Sequence, residues 1–170
     1  MKRLFTVLFC AVLICFFFSG CDSSDNGENG GNGNSQIATT DSEPSKDELS
    51  AKDFEKKLNG VSNITFVTEI KEDKNDLSMF PYEGLVSCVM VSKDDVNIAT
   101  FFEFDSDENA KRIIEDSKRS NSSDYTEETG KNFDKIQQGS VVIEQVGKTV
   151  VTITSEDKTV TDTILDVTGY

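Results

Sequence analysis

The chain has 170 residues, with 17 Lys and Arg against 31 Asp and Glu, and a formal net charge of −14 at pH 7. This balance argues against a nucleic-acid partner, whose phosphates demand a basic footprint, and against broad adhesion to an anionic lipid surface. With no His in the chain, the commonest general base and metal ligand is missing as well.

Lys2 and Arg3 open the chain, Leu4 to Phe18 is apolar apart from Thr6, and Ser19 and Gly20 are small. A charged start, an apolar run of about 7–15 residues and small residues at a cleavage point predict a secretory signal peptide over 1–20. The alternative is a retained transmembrane helix, which needs roughly 20 apolar residues. The stretch Phe18-Ser19-Gly20-Cys21 resembles the lipobox of bacterial lipoproteins. That resemblance implies that the Cys21 thiol receives a diacylglycerol and that a dedicated peptidase cuts between Gly20 and Cys21. Phe18 departs from the family, which usually carries Leu or another aliphatic residue there. Two acyl chains give the stable anchoring that one does not. The implied location is the extracytoplasmic side of the cell membrane, with the lipid as the membrane partner. Cleavage would remove Lys2 and Arg3 and no acid, and would take Cys10 and Cys15 away, leaving Cys88 as the spare thiol. Without an internal disulfide framework, the core alone must hold the fold.

Asp22 to Ser45 is dominated by Gly, Asn, Ser and Asp. Burial there cannot offset the entropy of ordering, so residues 21–48 are expected to form the lipidated cysteine and a flexible linker spanning roughly 25–30 Å r.m.s.. A single domain is expected over 49–170. "LSAKDFEKKLNG" predicts a helix: Ser50 as cap, Asp53 at the third position, Leu49 stapled onto Phe54, and a stop at Asn59-Gly60. "VSNITFVTEI" places Ile64, Phe66, Thr68 and Ile70 on one strand face. "GLVSCVMVS" and "VNIATFFEF" predict a hairpin around Lys93-Asp94-Asp95, although an Asn-Gly signature is missing. Cys88 sits in that first strand, where a free cysteine behaves as a small buried hydrophobe; a reactive thiol is the alternative. "DSDENAKRIIEDSKRS" predicts a second helix with Ala110, Ile113 and Ile114 inward. After a polar excursion from Ser120 to Asn132, "SVVIEQVGKTVVTITS" reads as two strands reversing at Gly147-Lys148. Val160, Ile164 and Val167 mark a closing helix before Gly169. The expected order α-β-β-β-α-β-β-α is an α+β fold, an antiparallel sheet of about five strands with about three helices. This layout of tether, opening "F…L" helix, "VV…VGKTVV" hairpin and closing "GY" also resembles small uncharacterised lipoproteins of Gram-positive bacteria, a resemblance that implies no activity.

Two motifs imitate chemistry. "VGKT" (146–149) ends like a phosphate-binding loop, but the glycine that loop requires is Val142 here, so a hairpin turn is the better reading. Asp105, Asp107, Asn109 and Asp116 share spacings with a calcium loop, but Ala110 replaces its obligatory glycine and helix capping explains the acids. No metal or cofactor is expected, and no nucleophile has a visible base, so no catalytic residue is assigned and Cys21, the lipid attachment site, is the site residue. The leading expectation is a non-catalytic binding or interaction module. Capture of a small ligand by Phe101, Phe102 and Phe104 is an alternative, and hydrolysis of an envelope polymer by Glu127 or Glu128 a weaker one.

Overall fold

A computed structural model of the protein describes residues 44–120 and 125–170. The predicted signal peptide, Cys21 and the linker up to residue 43 lie outside the described residues.

The first helix, α1 (Ala51–Asn59), starts where Ser50 Oγ accepts from the Asp53 N–H at 3.2 Å and donates to the Asp53 carboxylate at 2.7 Å. Ala51, Phe54 and Leu58 form its buried stripe. Gly60 closes it with an ordinary φ of −82°. The chain continues through β1 (Val67–Lys71), the single turn α2 (Lys74–Leu77), β2 (Leu85–Lys93), β3 (Val96–Phe104) and α3 (Asp107–Ser120). It ends with β4 (Thr126–Thr129), β5 (Phe133–Gln138), β6 (Val141–Val146), β7 (Thr149–Ile153) and α4 (Lys158–Thr168). The strands form one sheet in the order β1-β2-β3-β7-β6-β5-β4, with every neighbour antiparallel. Two meanders thus join where β3 pairs β7, Phe101 opposite Val151 and Phe102 opposite Val150.

The expectation of about five strands and three helices is overturned: the described residues hold seven strands and four helices. The additions are β4, β5 and α2, and each has a physical reason for being illegible. Every residue of β4 is exposed, so it carries no apolar alternation. In β5 the buried residues are Phe133 and Ile136, which lie on opposite faces, one paired with Val146 and the other with Ile143. The single turn α2 is capped by Asp73 and buries nothing. The predicted strand from Val61 shortens to Val67–Lys71, while Ile64 and Phe66 still pack on the core.

Alternation along the strands gives the sheet two apolar faces. α1 and α4 cover Val89, Val91, Phe101, Val151 and Ile153. α3, with Leu77 and Phe80, covers Cys88, Phe102, Phe104 and Val150. Each fully buried Phe, Leu or Ile contributes roughly 1.5–3 kcal/mol, so these two layers are what hold the helices onto the sheet. The rings of Phe54 and Phe101 stack at 4.5 Å, and Tyr170 meets both edge-on at 6.3 and 6.1 Å. Gly169 makes that last contact available: its left-handed φ of +87° turns the chain off α4, with its N–H donating to Leu165 O at 2.8 Å. The β2–β3 hairpin closes through Asp94 and Asp95, both left-handed (φ 53° and 63°), which is the primed turn without its preferred glycine.

Candidate functional site

On the α1–α4 face, β6 carries an acid among apolar neighbours. Glu144 alternates with Val142 and Val146 and is 0% exposed. Two ammonium groups approach it. Lys46 Nζ contacts Glu144 Oε1, and Lys135 Nζ, on the paired strand β5, lies 3.3 Å from Oε2 without hydrogen-bond geometry. The Lys46 ammonium also stands 4.9 Å from the centre of the Phe133 ring, a cation–π arrangement strengthened by partial desolvation. Burying a carboxylate is tolerated only when it is paired, so Glu144 dictates a cation at this point.

Lys46 arrives on an extended segment that precedes α1. Asn132, in the β4–β5 turn, brackets its peptide unit: Lys46 N–H donates to Asn132 Oδ1 at 3.0 Å, and Asn132 Nδ2 donates to Lys46 O at 2.7 Å. One residue earlier in that turn, Lys131 N–H donates to Pro44 O at 3.0 Å. At the far end, Lys148 N–H in the β6–β7 turn donates to the Glu48 carboxylate at 2.9 Å. The two turns are themselves joined, Gly147 N–H donating to Asn132 O at 3.0 Å. Gly130 is required by close approach, since a Cβ there would stand 2.1 Å from Phe133 Cε1 and 2.5 Å from Pro44 O. Beyond Glu48 the segment hands over to Leu49, packed on the core, and to Ala51, whose N–H donates to Glu103 Oε2 at 3.2 Å. Among the described residues, contacts with the domain therefore extend upstream of Leu49, where the sequence places the start of the domain, to Pro44.

Behind this cradle lies Tyr170, whose hydroxyl shares a 2.5 Å hydrogen bond with Thr149 Oγ1. Burial pushes its phenol above the ordinary value, the Thr149 contact opposing and the nearby Glu144, Glu48 and Glu103 adding to the rise. The group stays neutral and serves as a wall. Taken together, the cradle can hold a short extended peptide by its backbone and one ammonium by charge. It contains no nucleophile paired with a base.

The residues singled out from sequence fall elsewhere. Cys21 lies outside the described residues. Cys88 is 0% exposed against α3, and burial pushes its thiol up to about 11, with Lys71 opposing. Phe101, Phe102 and Phe104 are core residues divided between the two faces, so they do not form one binding surface. Glu127 and Glu128 are exposed on edge strand β4, Glu127 paired with Lys118. Asp105 accepts from Asn109 Nδ2 at 2.7 Å and Ser106 Oγ from Asn109 N–H at 3.4 Å, which is capping of α3. Val142 is buried in β6, and Gly147 forms a hairpin turn with φ 54°. Among the described residues, no group of three or more acidic or cysteine side chains could hold a metal. A shallow groove of about 610 Å³ runs between α1 and α4, lined by apolar Leu49, Val61 and Val167 and by polar side chains including Asp53, Lys56 and Lys57.

Sequence reasoning missed Lys46, Asn132, Phe133 and Glu144. One signal was available: a glutamate at an inward position of "VVIEQV", which demands a cation from somewhere. No family model, curated protein or solved structure matches this chain.

Proposed function

We propose that this protein is a lipid-anchored, extracytoplasmic binding module that acts without catalysis, held to the membrane through Cys21. The anchor is supported by the sequence around Phe18-Ser19-Gly20-Cys21, a short apolar run ending at a cysteine where the composition turns abruptly to Asn, Gly, Ser and Asp. The binding role rests on one observation: the cradle of the β4–β5 and β6–β7 turns, which grips an extended segment through Asn132, Lys131 N–H and Lys148 N–H around the buried Glu144. These are donors and acceptors of the kind that recognise a peptide segment, carried on turns between paired strands.

The anchor is tested by intact-mass analysis of the membrane fraction. The mature chain should begin at Cys21 and carry the mass of a diacylglycerol. Cys21→Ser should keep residues 1–20 and lack the lipid, because a hydroxyl does not replace thiolate in that transfer, whereas Cys88→Ser should process normally. An unmodified Cys21, or a different mature N-terminus, overturns the anchor. The binding role is tested by cross-linking in cells followed by capture, and recovery of no specific partner counts against it.

A further inference from the structure

We propose that the cradle is a recognition groove for an extended, lysine-bearing segment of another protein, and that Pro44–Glu48 occupies it in cis as an internal competitor. The inference rests on the reading of the protein as a binding module and names the partner chemistry of that same site.

Three features carry it. The groove reads a pattern rather than a shape. Glu144 and the Phe133 ring select an ammonium, Asn132 fixes the peptide unit of the residue that bears it, and Lys148 N–H donates to a carboxylate oxygen two residues later. The motif is therefore Lys-x-acid in an extended conformation, the arrangement that Lys46-Asp47-Glu48 displays.

The bound segment is also held lightly. Pro44, Ser45, Asp47 and Glu48 are exposed, and only Lys46 is half-buried. The backbone and rim contacts are polar and exposed, each worth little net because water competes for both partners, and the pairing of Lys46 with the buried Glu144 is the one strong hold. Segments with few apolar contacts open locally at a small fraction of global stability. The acceptor side is better anchored, because β5 and β6 are paired strands of the sheet and the two turns between them and their neighbours are joined by the Gly147 N–H to Asn132 O bond. An opened segment leaves behind a rigid groove with a buried carboxylate whose first cation has gone.

Finally, the electrostatics favour exchange. The protein carries a formal net charge of −14, which favours a Lys-x-acid motif set in an otherwise basic partner surface and raises its association rate. The cis segment competes as an intramolecular ligand, so a partner's apparent affinity is reduced by the fraction of time the groove is open. Such a groove stays closed to weak or mismatched peptides.

The test uses the full chain purified in detergent and a fluorescent peptide with the sequence of residues 42–49, Ser-Glu-Pro-Ser-Lys-Asp-Glu-Leu. Fluorescence polarisation should show the peptide binding Lys46→Ala about ten-fold or more tighter than wild type, because the cis competitor is weakened. A peptide with norleucine in place of the lysine should bind Lys46→Ala about ten-fold more weakly than the parent peptide. Adding Glu144→Gln to Lys46→Ala should erase that preference. Should Lys46→Ala fail to fold, wild-type protein gives the answer by hydrogen exchange: millimolar peptide should speed exchange of the Lys46 N–H several-fold, and the norleucine peptide should not. Equal binding of the two peptides, no binding to folded Lys46→Ala, or unchanged exchange in wild type each overturns the proposal. Lipid attachment at Cys21 is measured separately by mass, so a failed groove and a failed anchor are distinguishable.

Discussion

Lys46→Met and Glu144→Met should have very unequal effects, although they remove the two ends of one ion pair. Glu144 is fully buried, so its carboxylate cannot reach water when a partner is lost. The side chains of Lys46 and Lys135 are 23% and 20% exposed, and both ammonium groups can turn outward. Leaving a buried charge wholly unpaired costs about 3–5 kcal/mol, and losing an exposed pair about 0–1 kcal/mol. Lys46→Met lies between these limits, because Lys135 remains 3.3 Å from Oε2 but without hydrogen-bond geometry. A destabilisation of about 2 kcal/mol is expected. Glu144→Met removes the source of the demand and fills the site with a flexible apolar chain, so it should cost less than about 1 kcal/mol and can be neutral. The double variant should resemble Glu144→Met, giving a coupling energy of about 2 kcal/mol, equal to the Lys46→Met penalty. The assay is urea denaturation with the slope held as a control on two-state behaviour. Repeating it in 1 M NaCl should change the Lys46→Met penalty little, since a buried pair is poorly screened. A Glu144→Met penalty larger than that of Lys46→Met would refute the reasoning, because Glu144 would then be a stabilising element in its own right.

Two further predictions concern stability. The Cys88 thiol is pushed from an ordinary 9.0 up to about 11 by burial, so between those values the unfolded chain holds fewer protons than the folded one. Stability is therefore complete below about pH 9 and falls as pH rises toward 11, by roughly 2–3 kcal/mol; Tyr170, also raised, acts in the same direction. Urea midpoints from pH 8 to 11 should fall less steeply for Cys88→Ala, and parallel curves would show that the thiol does not titrate as described. Asp95→Gly should raise stability by about 0.5–1 kcal/mol, since glycine carries no penalty at the left-handed φ of 63°. A lowered thermal midpoint would mean that the Asp95 side chain contributes something beyond the turn.

Where a segment announces its own burial, its place in the fold is legible. Phe54 and Leu58 in α1, Ala110, Ile113 and Ile114 in α3, and Val160 and Ile164 in α4 recur at helical spacing and are buried as that spacing requires. The β2–β3 and β6–β7 hairpins are written in apolar, β-branched residues. Strand β4 is not, because it pairs by backbone with every residue exposed, and β5 is not, because its buried Phe133 and Ile136 lie on opposite faces and leave no alternation. Thr126 to Thr129 is a strand because Asp134 to Gln137 offers it hydrogen bonds, a fact about a neighbour that no local pattern contains. The same holds for the number of helices, since a single turn capped by Asp73 has no period to detect.

The cradle was hidden for a related reason. A Gly-, Asn- and Ser-rich composition establishes that a segment cannot build a core of its own. It does not establish that the segment cannot dock on a core built by others. Pro44 to Glu48 is ordered by partners far along the chain: Asn132 is 86 residues from Lys46, Glu144 is 98, and Lys148 is 100 from Glu48. None of these contacts buries enough apolar surface to leave a mark on hydropathy, and the segment reads as linker up to its last residue. The mark is on the other side, in the glutamate between Val142 and Val146. An acid placed on a strand's apolar face has to be answered by a cation, and a chain that offers its answer from a lightly held, exposed segment has built a position that a second lysine can contest.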